Sequence, residues 1–290
     1  MRKVGMLTLG KKGLVSLMAL KDHDLLSKLN FVVVGRDTSI QNDYSNEIKE
    51  FCNFNEIKWY TRQSFEQEKL SCDFLVAIGW RWLVNTDHYK LITIHDSLLP
   101  KYRGFNPLVT ALVEGDKMIG ATALFANEEI DSGNIVSQES IEIDYPIKIQ
   151  VAIDKIAFLY GKIIVNVLQS KELKSKPQNH NNSTYSLWRN EEDYRIDWSW
   201  DSKKIIRFID AVGYPYLGAL TTYYGTEIRI IQAVKVSDVE IVNRTPGKLF
   251  KVEKNRPIIV CGKGMVQINK AVTEKSGEEI EFDKLRVRLQ

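Results

Sequence analysis

Long hydrophobic runs and cysteines are both scarce in this 290-residue chain. No apolar stretch reaches the roughly 18 residues that a membrane-spanning helix requires, so we expect no membrane span. The apolar part of the first ten residues is too short for a secretory signal. Three cysteines at scattered positions predict neither a disulfide framework nor a zinc site. We therefore expect a cytoplasmic protein without a bound metal.

A large excess of charge of either sign is also missing. The chain has 40 Lys and Arg against 37 Asp and Glu, which gives a net charge of +3. Proteins that bind nucleic acids usually concentrate basic residues on one face, so a nucleic-acid partner is not expected. The apolar fraction of 44% is that of an ordinary globular protein, and the length allows a large and a small domain.

Apolar, β-branched segments alternate with helical patterns in the first half of the chain. Buried strands are predicted at 4–9, 31–35, 74–79, 92–95, 119–125 and 135–143. A periodic apolar pattern at 151–168 predicts a long packing helix. Strands that alternate with helices are typical of an α/β fold, so we predict a doubly wound, mostly parallel, Rossmann-like sheet.

The composition changes after this helix. Residues 171–183 are rich in Lys, Asn and Ser and predict a loop or linker. A helix capped by Asp201 or Ser202 is expected to end at Gly213, and short strands with turns follow from residue 214. We therefore predict three parts: an α/β domain over 1–183, a connecting segment and helix over 184–213, and a small open-barrel β domain over 214–290.

Two polar residues stand where predicted strands end. His95 closes the strand at 92–95, and Asp131 closes a later apolar segment and enters a turn that contains Gly133. Ligands gather at the carboxyl ends of parallel strands, and a histidine with a carboxylate can move a proton near neutral pH. A structural histidine and an ordinary Asp-Ser-Gly turn are the plain alternatives.

Two further segments have ligand-binding character. Gly10-Lys11-Lys12-Gly13 lies between a strand and a helix, which favours an anion site, with a surface turn as the alternative. The aromatic pair Trp80 and Trp82 follows the strand at 74–79 and either packs in the core or walls a planar ligand.

A family resemblance is carried by two segments, the first of which is His95-Asp96-Ser97-Leu98-Leu99-Pro100-Lys101-Tyr102-Arg103-Gly104. The second is Asp131-Ser132-Gly133-Asn134-Ile135. Together they resemble the signature of the formyltetrahydrofolate-dependent formyltransferases, which include methionyl-tRNA formyltransferase and the sugar-nucleotide N-formyltransferases. The resemblance implies formyltetrahydrofolate as the formyl donor and a C-terminal barrel of the oligonucleotide-binding type.

The resemblance also implies roles for individual residues. His95 would donate to the oxyanion, and Asp131 would accept the proton of the attacking amine or orient His95. Thr93 stands where the family has an asparagine. Three readings stay open: Thr93 replaces the amide, another donor does, or catalysis is impaired. The implied folate contacts are Trp82, Leu83, Ile130 and Asp131.

The acceptor is left among three alternatives. Residues 95–100 and 188–198 look more like the sugar branch, which implies an amino sugar on a nucleotide, such as a dTDP-4-amino-4,6-dideoxyhexose, for surface polysaccharide (O-antigen) synthesis. Methionyl-tRNA formylation and a non-catalytic folate- or nucleotide-binding protein are the other two, and a homodimer through the β domain is also open. The expected substrate contacts are Gly10, Lys11, Lys12, Trp80, Arg81, Lys101, Tyr102 and Arg103.

Overall fold

The computed structural model describes residues 3–38, 40, 42–67, 70–84 and 89–290. The chain divides into two compact units. The first comprises Met1–Leu108, Met118–Ile143 and Val151–Leu187, and the second comprises Val109–Lys117, Asp144–Gln150 and Trp188–Gln290. The three-part division at residues 183 and 213 stays a prediction. Within the described ranges, no helix is long and apolar enough to cross a membrane.

A seven-stranded sheet is the centre of the first unit. The strands of this unit are β1 (Val4–Thr8), β2 (Leu29–Val34), β3 (Trp59–Thr61), β4 (Phe74–Ile78), β5 (Lys90–His95), β6 (Arg103–Gly104), β7 (Met118–Phe125), β8 (Ile135–Glu142) and β9 (Tyr185–Ser186). The large sheet has the order β3-β2-β1-β4-β5-β7-β8, and β6 pairs with β9 separately. Strands β1 to β5 run parallel, whereas β7 and β8 are antiparallel to their neighbours.

The strand composition explains the parallel core. All five residues of β1 and five of the six in β2 are buried, as a strand covered on both faces requires. The helices of the chain are α1 (Gly10–Asp22), α2 (Ser45–Phe54), α3 (Arg62–Gln67), α4 (Pro107–Glu114), α5 (Ile149–Gln169) and α6 (Ser202–Ala211). The predicted doubly wound, mostly parallel sheet is confirmed.

The predicted loop at residues 10–13 is wrong. These four residues are the first turn of α1, and Leu9 alone separates β1 from the helix. The Leu9 amide donates to the Ile78 carbonyl at 3.0 Å, so the chain is still held to the sheet there. Gly10 turns it at once with a φ of +68°, a backbone conformation that glycine adopts without strain.

The second unit is built on a five-stranded antiparallel sheet. Its strands are β10 (Ala219–Tyr223), β11 (Thr226–Val236), β12 (Leu249–Glu253), β13 (Arg256–Val260) and β14 (Met265–Thr273), in the order β10-β11-β14-β13-β12. Helix α6 begins at the predicted cap, since the Asp201 carboxylate accepts the amides of Lys203 and Lys204. The five-stranded sheet confirms the predicted C-terminal β module.

Candidate active site

His95 stands at the carboxyl end of β5. Ile92 and Ile94 are buried on one face of this strand, so Thr93 and His95 share the other face. The Nε2 atom of His95 lies 2.7 Å from the Tyr102 carbonyl oxygen. A carbonyl can only accept, so Nε2 carries a hydrogen, and Nδ1 is the nitrogen that can take up a proton.

Asp131 faces that nitrogen. Its Oδ2 atom lies 3.4 Å from His95 Nδ1, and the two side chains are 18% and 9% exposed. The Gly104 amide donates to the same oxygen at 2.8 Å. Asp131 itself has a φ of +50°, an uncommon conformation for a residue with a side chain. The structure thus brings the two predicted catalytic residues together.

The path by which Asp131 arrives differs from the expected one. Strand β7 runs antiparallel to β5, and its last residue, Phe125, pairs with Ile92. Residues 126–134 must therefore fold back along β5 to reach His95, instead of entering from a parallel strand end. Gly133 permits this course, because a Cβ there would lie 1.8 Å from the Phe125 carbonyl oxygen.

A segment that we call the strap, residues 176–187, holds this turn in place. Gln178 is buried and donates from Nε2 to the carbonyls of Asp131 and Gly133 at 2.7 and 2.8 Å. Its Oε1 accepts two hydrogen bonds from Arg103, at 3.2 and 2.8 Å. The amide of Gln178 therefore joins the two segments that carry the candidate pair.

The strap also fixes the chain that follows His95. The Thr184 hydroxyl accepts the Tyr102 amide at 2.9 Å, and the Thr184 carbonyl accepts the Arg103 amide at 2.8 Å. Two residues further, the Phe105 amide donates to the Ser186 carbonyl at 2.8 Å. The sequence predicts only a loop or linker for residues 171–183, because a polar Gln after a proline gives no local signal of this role.

Sequence reasoning also missed a partly buried polar cluster beside His95. Lys12 from α1 forms an ion pair with Oδ2 of Asp96. The Tyr160 hydroxyl, on α5, lies 2.6 Å from both Oδ1 of Asp96 and the Ile94 carbonyl oxygen. Tyr160 lies within the predicted packing helix and is 1% exposed, but its hydroxyl reaches the end of β5.

The cluster is electrostatically asymmetric. Burial raises the pKa of the Asp96 carboxyl, but the charge of Lys12 and hydrogen bonds from Lys12 and Tyr160 outweigh it and hold that pKa below its ordinary value. Burial, and then the charge of Asp96, raises the pKa of the Tyr160 hydroxyl well above its usual range. Asp96 is therefore an ionised acceptor and Tyr160 a neutral donor at physiological pH.

Thr93 lies two residues before His95 on the same face of β5, so its hydroxyl is on the side of the candidate pair. It is half-buried, and within the described part of the chain its hydroxyl makes no hydrogen bond. Its backbone pairs with Ala77 of β4 and Leu124 of β7, so the strand is held from both sides.

Arg103 requires a correction as a substrate contact. It is 1% exposed, and its guanidinium group is bonded to Gln178 and lies 3.3 Å from His180. Such a side chain has no surface for a phosphate, so its role is structural. Tyr102 is also buried and supplies the carbonyl for His95, while Lys101 lies 4.6 Å from the Tyr102 ring centre.

The two lysines of the first turn of α1, which follow Gly10, both lie in ion pairs. Lys11 Nζ is 2.6 Å from Asp154 Oδ1 in a partly exposed pair. Lys12 is paired with the partly buried Asp96 and is not available to a phosphate in this arrangement. A phosphate contact through Lys11 stays a prediction.

The aromatic pair lies at the carboxyl edge of the sheet. Trp80 and Trp82 meet edge to face at 4.8 Å, and both rings approach Gly35 after β2. Arg81, between them, forms an ion pair with Asp37. Of the other expected folate contacts, Leu83 is fully exposed and Ile130 is 59% exposed. The described ranges contain no cluster of His, Cys, Asp and Glu that could hold a metal.

Comparison with known proteins identifies the family. Residues 62–168 match the formyl transferase family model, and residues 189–284 match the model for the formyl transferase C-terminal domain. The methionyl-tRNA formyltransferase of Fusobacterium nucleatum subsp. nucleatum is 26% identical over 83% of this chain and 81% of that protein.

Solved structures share the fold over nearly the whole chain. An N-formyltransferase from Helicobacter canadensis, in complex with folinic acid and dTDP-3-aminofucose, has a TM-score of 0.70 at 18% identity and covers 92% of this chain and 99% of its own. A HypX variant from Aquifex aeolicus has a TM-score of 0.62 at 18% identity over 97% of this chain. The chain spans just under half, 46%, of that HypX chain.

The two family models together cover more than half of the chain and follow one another along it. The expected enzyme class, an N-formyltransferase, and the expected formyl donor, formyltetrahydrofolate, are confirmed. The chain therefore belongs to the formyl transferase family.

Proposed function

We propose that this enzyme formylates the amine of a nucleotide-linked amino sugar, such as a dTDP-4-amino-4,6-dideoxyhexose, for surface polysaccharide synthesis. The observation that carries the proposal is the charge of the C-terminal part. Residues 188–290 contain 18 Lys and Arg against 15 Asp and Glu. A transfer RNA is bound through many phosphate contacts and requires a concentrated basic surface. A sugar nucleotide carries few phosphates and does not.

Several cations of the second unit are also committed to carboxylates. The pairs are Arg195 with Glu227 at 2.7 Å, Lys204 with Glu114 at 2.9 Å, Arg244 with Asp238 at 2.6 Å, and Arg229 with Glu274. A paired cation has a weaker field for a phosphate backbone than a solitary one. The likeness to the Helicobacter enzyme, which was solved with an amino-sugar nucleotide, supports the same acceptor class.

The second candidate is methionyl-tRNA formylation. It is favoured by the sequence match to the Fusobacterium enzyme over 81% of that protein. The two candidates use the same donor and the same chemistry at the amine, so they differ in how the acceptor is bound.

The first chemical requirement is removal of a proton from the attacking amine. Nδ1 of His95 is suited to receive it, because Nε2 already donates to Tyr102 and Nδ1 faces Asp131 at 3.4 Å. The imidazolium that forms then lies between a carbonyl and a carboxylate, both of which stabilise its charge. As the new C–N bond forms, the pair holds the amine proton and returns it to the departing folate nitrogen.

The second requirement is a donor for the developing oxyanion. His95 was expected to supply it, but its Nε2 hydrogen is used by Tyr102. Thr93 lies two residues earlier on the same face and offers a hydroxyl hydrogen. We assign the oxyanion contact to Thr93.

The donor supplies the electrophilic formyl carbon when bound. The side chains of Leu83 and Ile130 are exposed and apolar, as the flat apolar surface of a pterin requires. We assign Trp82 to the same contact. Lys11 and Lys101 are the candidates for the diphosphate of the acceptor, since Lys12 and Arg103 are bound elsewhere.

The test is a turnover assay with formyltetrahydrofolate and two sets of acceptors. One set contains amino sugars on dTDP, UDP and GDP, and the other is methionyl-tRNA. We expect turnover with at least one amino-sugar nucleotide, and loss of that turnover in His95→Gln and Asp131→Asn with melting temperatures close to wild type.

A higher kcat/KM on methionyl-tRNA than on every sugar nucleotide would make tRNA the acceptor. Undiminished turnover in either variant would show that the pair does not handle the proton.

A further inference from the structure

The reaction outlined above makes no use of the partly buried cluster of Lys12, Asp96 and Tyr160. These residues come from α1, from the end of β5 and from α5, and they converge on the residue next to His95. Lys12 and Asp96 are 20% and 16% exposed, so their ion pair loses part of its hydration, which makes it costly to form. We therefore considered how this ion pair affects His95, the proposed proton acceptor beside it.

The cluster changes the charge around His95. Asp131, from the turn before β8, faces the imidazole at Nδ1, and Asp96 follows it directly in the chain. Two carboxylates would favour the protonated ring, because each attracts its positive charge. A ring that keeps its proton cannot take one from an amine. Lys12 is placed to oppose one of these carboxylates.

Tyr160 fixes where that second negative charge lies. Its hydroxyl has one hydrogen and two acceptors at 2.6 Å, the Asp96 carboxylate and the Ile94 carbonyl. The Tyr160 hydroxyl therefore connects the Asp96 side chain to the backbone of Ile94, the strand residue just before His95. Asp96 therefore holds a set position relative to the ring, with Lys12 on its other oxygen.

We propose that Asp96, opposed by Lys12 and anchored by Tyr160, is a positioning residue that sets the proton affinity of the His95–Asp131 pair. The proposal rests on the role of that pair in the proposed function. The negative charge of Asp96 favours the protonated ring of His95, and the positive charge of Lys12 opposes that effect. None of the three side chains is required to touch either substrate.

The experiment is a histidine titration that needs no substrate. The chain has four histidines, so imidazole resonances of the isotope-labelled enzyme are few, and His95→Gln identifies the one that belongs to His95. The pH midpoint of that resonance is compared in wild type, Asp96→Asn, and Lys12→Met/Asp96→Asn. Asn keeps the size of Asp96 and removes its charge, and the double variant removes both charges.

We expect the midpoint in Asp96→Asn to fall by roughly one pH unit, because Lys12 is then left unopposed near the ring. The double variant should return toward wild type. The acid limb of the kcat/KM profile, on whichever acceptor is active, should move in the same order. If Asp96 only stabilised the fold, Asp96→Asn would lower the melting temperature, and the midpoint of the double variant would not return toward that of wild type.

Coincident midpoints in wild type and Asp96→Asn, or a double variant further from wild type than the single one, would overturn the proposal. If Asp96→Asn does not fold, Lys12→Met decides the question with the opposite sign, since a rise is then expected and an unchanged midpoint refutes it. The titration is independent of turnover. A wrong acceptor assignment therefore leaves this result intact, and a failed titration leaves the acceptor assay intact.

Discussion

Thr93 and His95 alternate with Ile92 and Ile94 along β5, so one short strand fills the core with one face and serves the site with the other. Sequence reasoning could place His95 and Asp131 because each ends an apolar run beside a turn. It could not predict the hydrogen bond between Asp96 and Tyr160, which are 64 positions apart and meet only through the fold. It misjudged Arg103, since a cation next to a glycine gives no sign of burial.

At residue scale, the first prediction concerns the hydroxyl of Thr93. Thr93→Val removes this donor at nearly constant volume and should lower kcat by roughly two to three orders of magnitude. Thr93→Asn supplies an amide and should keep kcat near wild type if the longer side chain fits. The measurement is kcat at saturating donor and acceptor, with a melting curve for each variant.

Thr226→Val is the matched control, because Thr226 is an exposed threonine on β11 of the second unit. It should leave kcat unchanged. Wild-type kcat in Thr93→Val would remove Thr93 from the reaction and place the oxyanion donor elsewhere.

Among the elements, the strap connects the two loops that carry the candidate pair. The turn that carries Asp131 and the segment after His95 come from separate loops. Gln178 hydrogen-bonds to both of these loops, and Thr184 hydrogen-bonds to the segment after His95. The Gln178 side chain reaches a carbonyl 47 positions away in the chain. A polar stretch after a long helix resembles a linker in composition, so its role depends on long-range contacts that local patterns do not contain.

The second prediction tests the strap through Gln178→Glu. The carboxylate can still accept from Arg103, but it faces the carbonyls of Asp131 and Gly133 with no hydrogen to donate. The turn should shift and carry the Asp131 carboxylate with it. We expect kcat to fall at least about tenfold, with a smaller change in acceptor KM.

Gln232→Glu is the control for the chemical change alone, since Gln232 is exposed on β11. It should behave like wild type. A Gln178→Glu enzyme with unchanged kcat and raised KM would mean that Gln178 acts on acceptor binding and does not position Asp131.

For the whole molecule, continuous apolar strands made the parallel core predictable, and the change to short strands after residue 214 indicated the β module. The antiparallel direction of β7 was not predictable, because a strand buried on both faces has the same composition in either direction. Because β7 runs in this direction, the turn at 126–134 folds back along β5. The direction of β7 therefore also determines how Asp131 reaches His95.

The third prediction is set by the charge balance of the molecule. With 18 cations against 15 anions in residues 188–290, the enzyme should show a weak dependence on salt. We expect kcat/KM for the amino-sugar nucleotide to fall less than about tenfold between 50 and 200 mM salt, whereas six to ten phosphate contacts would cost roughly 10³- to 10⁵-fold. The measurement is a salt series at constant pH, and a steep loss would indicate a polyanionic acceptor.

The place of the strap in the chain also governs when the site can exist during synthesis. His95 and Asp131 are translated before Gln178 and Thr184. At roughly 5–20 residues per second, the ribosome adds the strap several seconds after the Asp131 turn. In that interval the nascent chain carries both reacting groups without the hydrogen bonds that hold their loops. Chains that terminate before the strap should therefore be inactive, although they contain every residue expected to touch the formyl group.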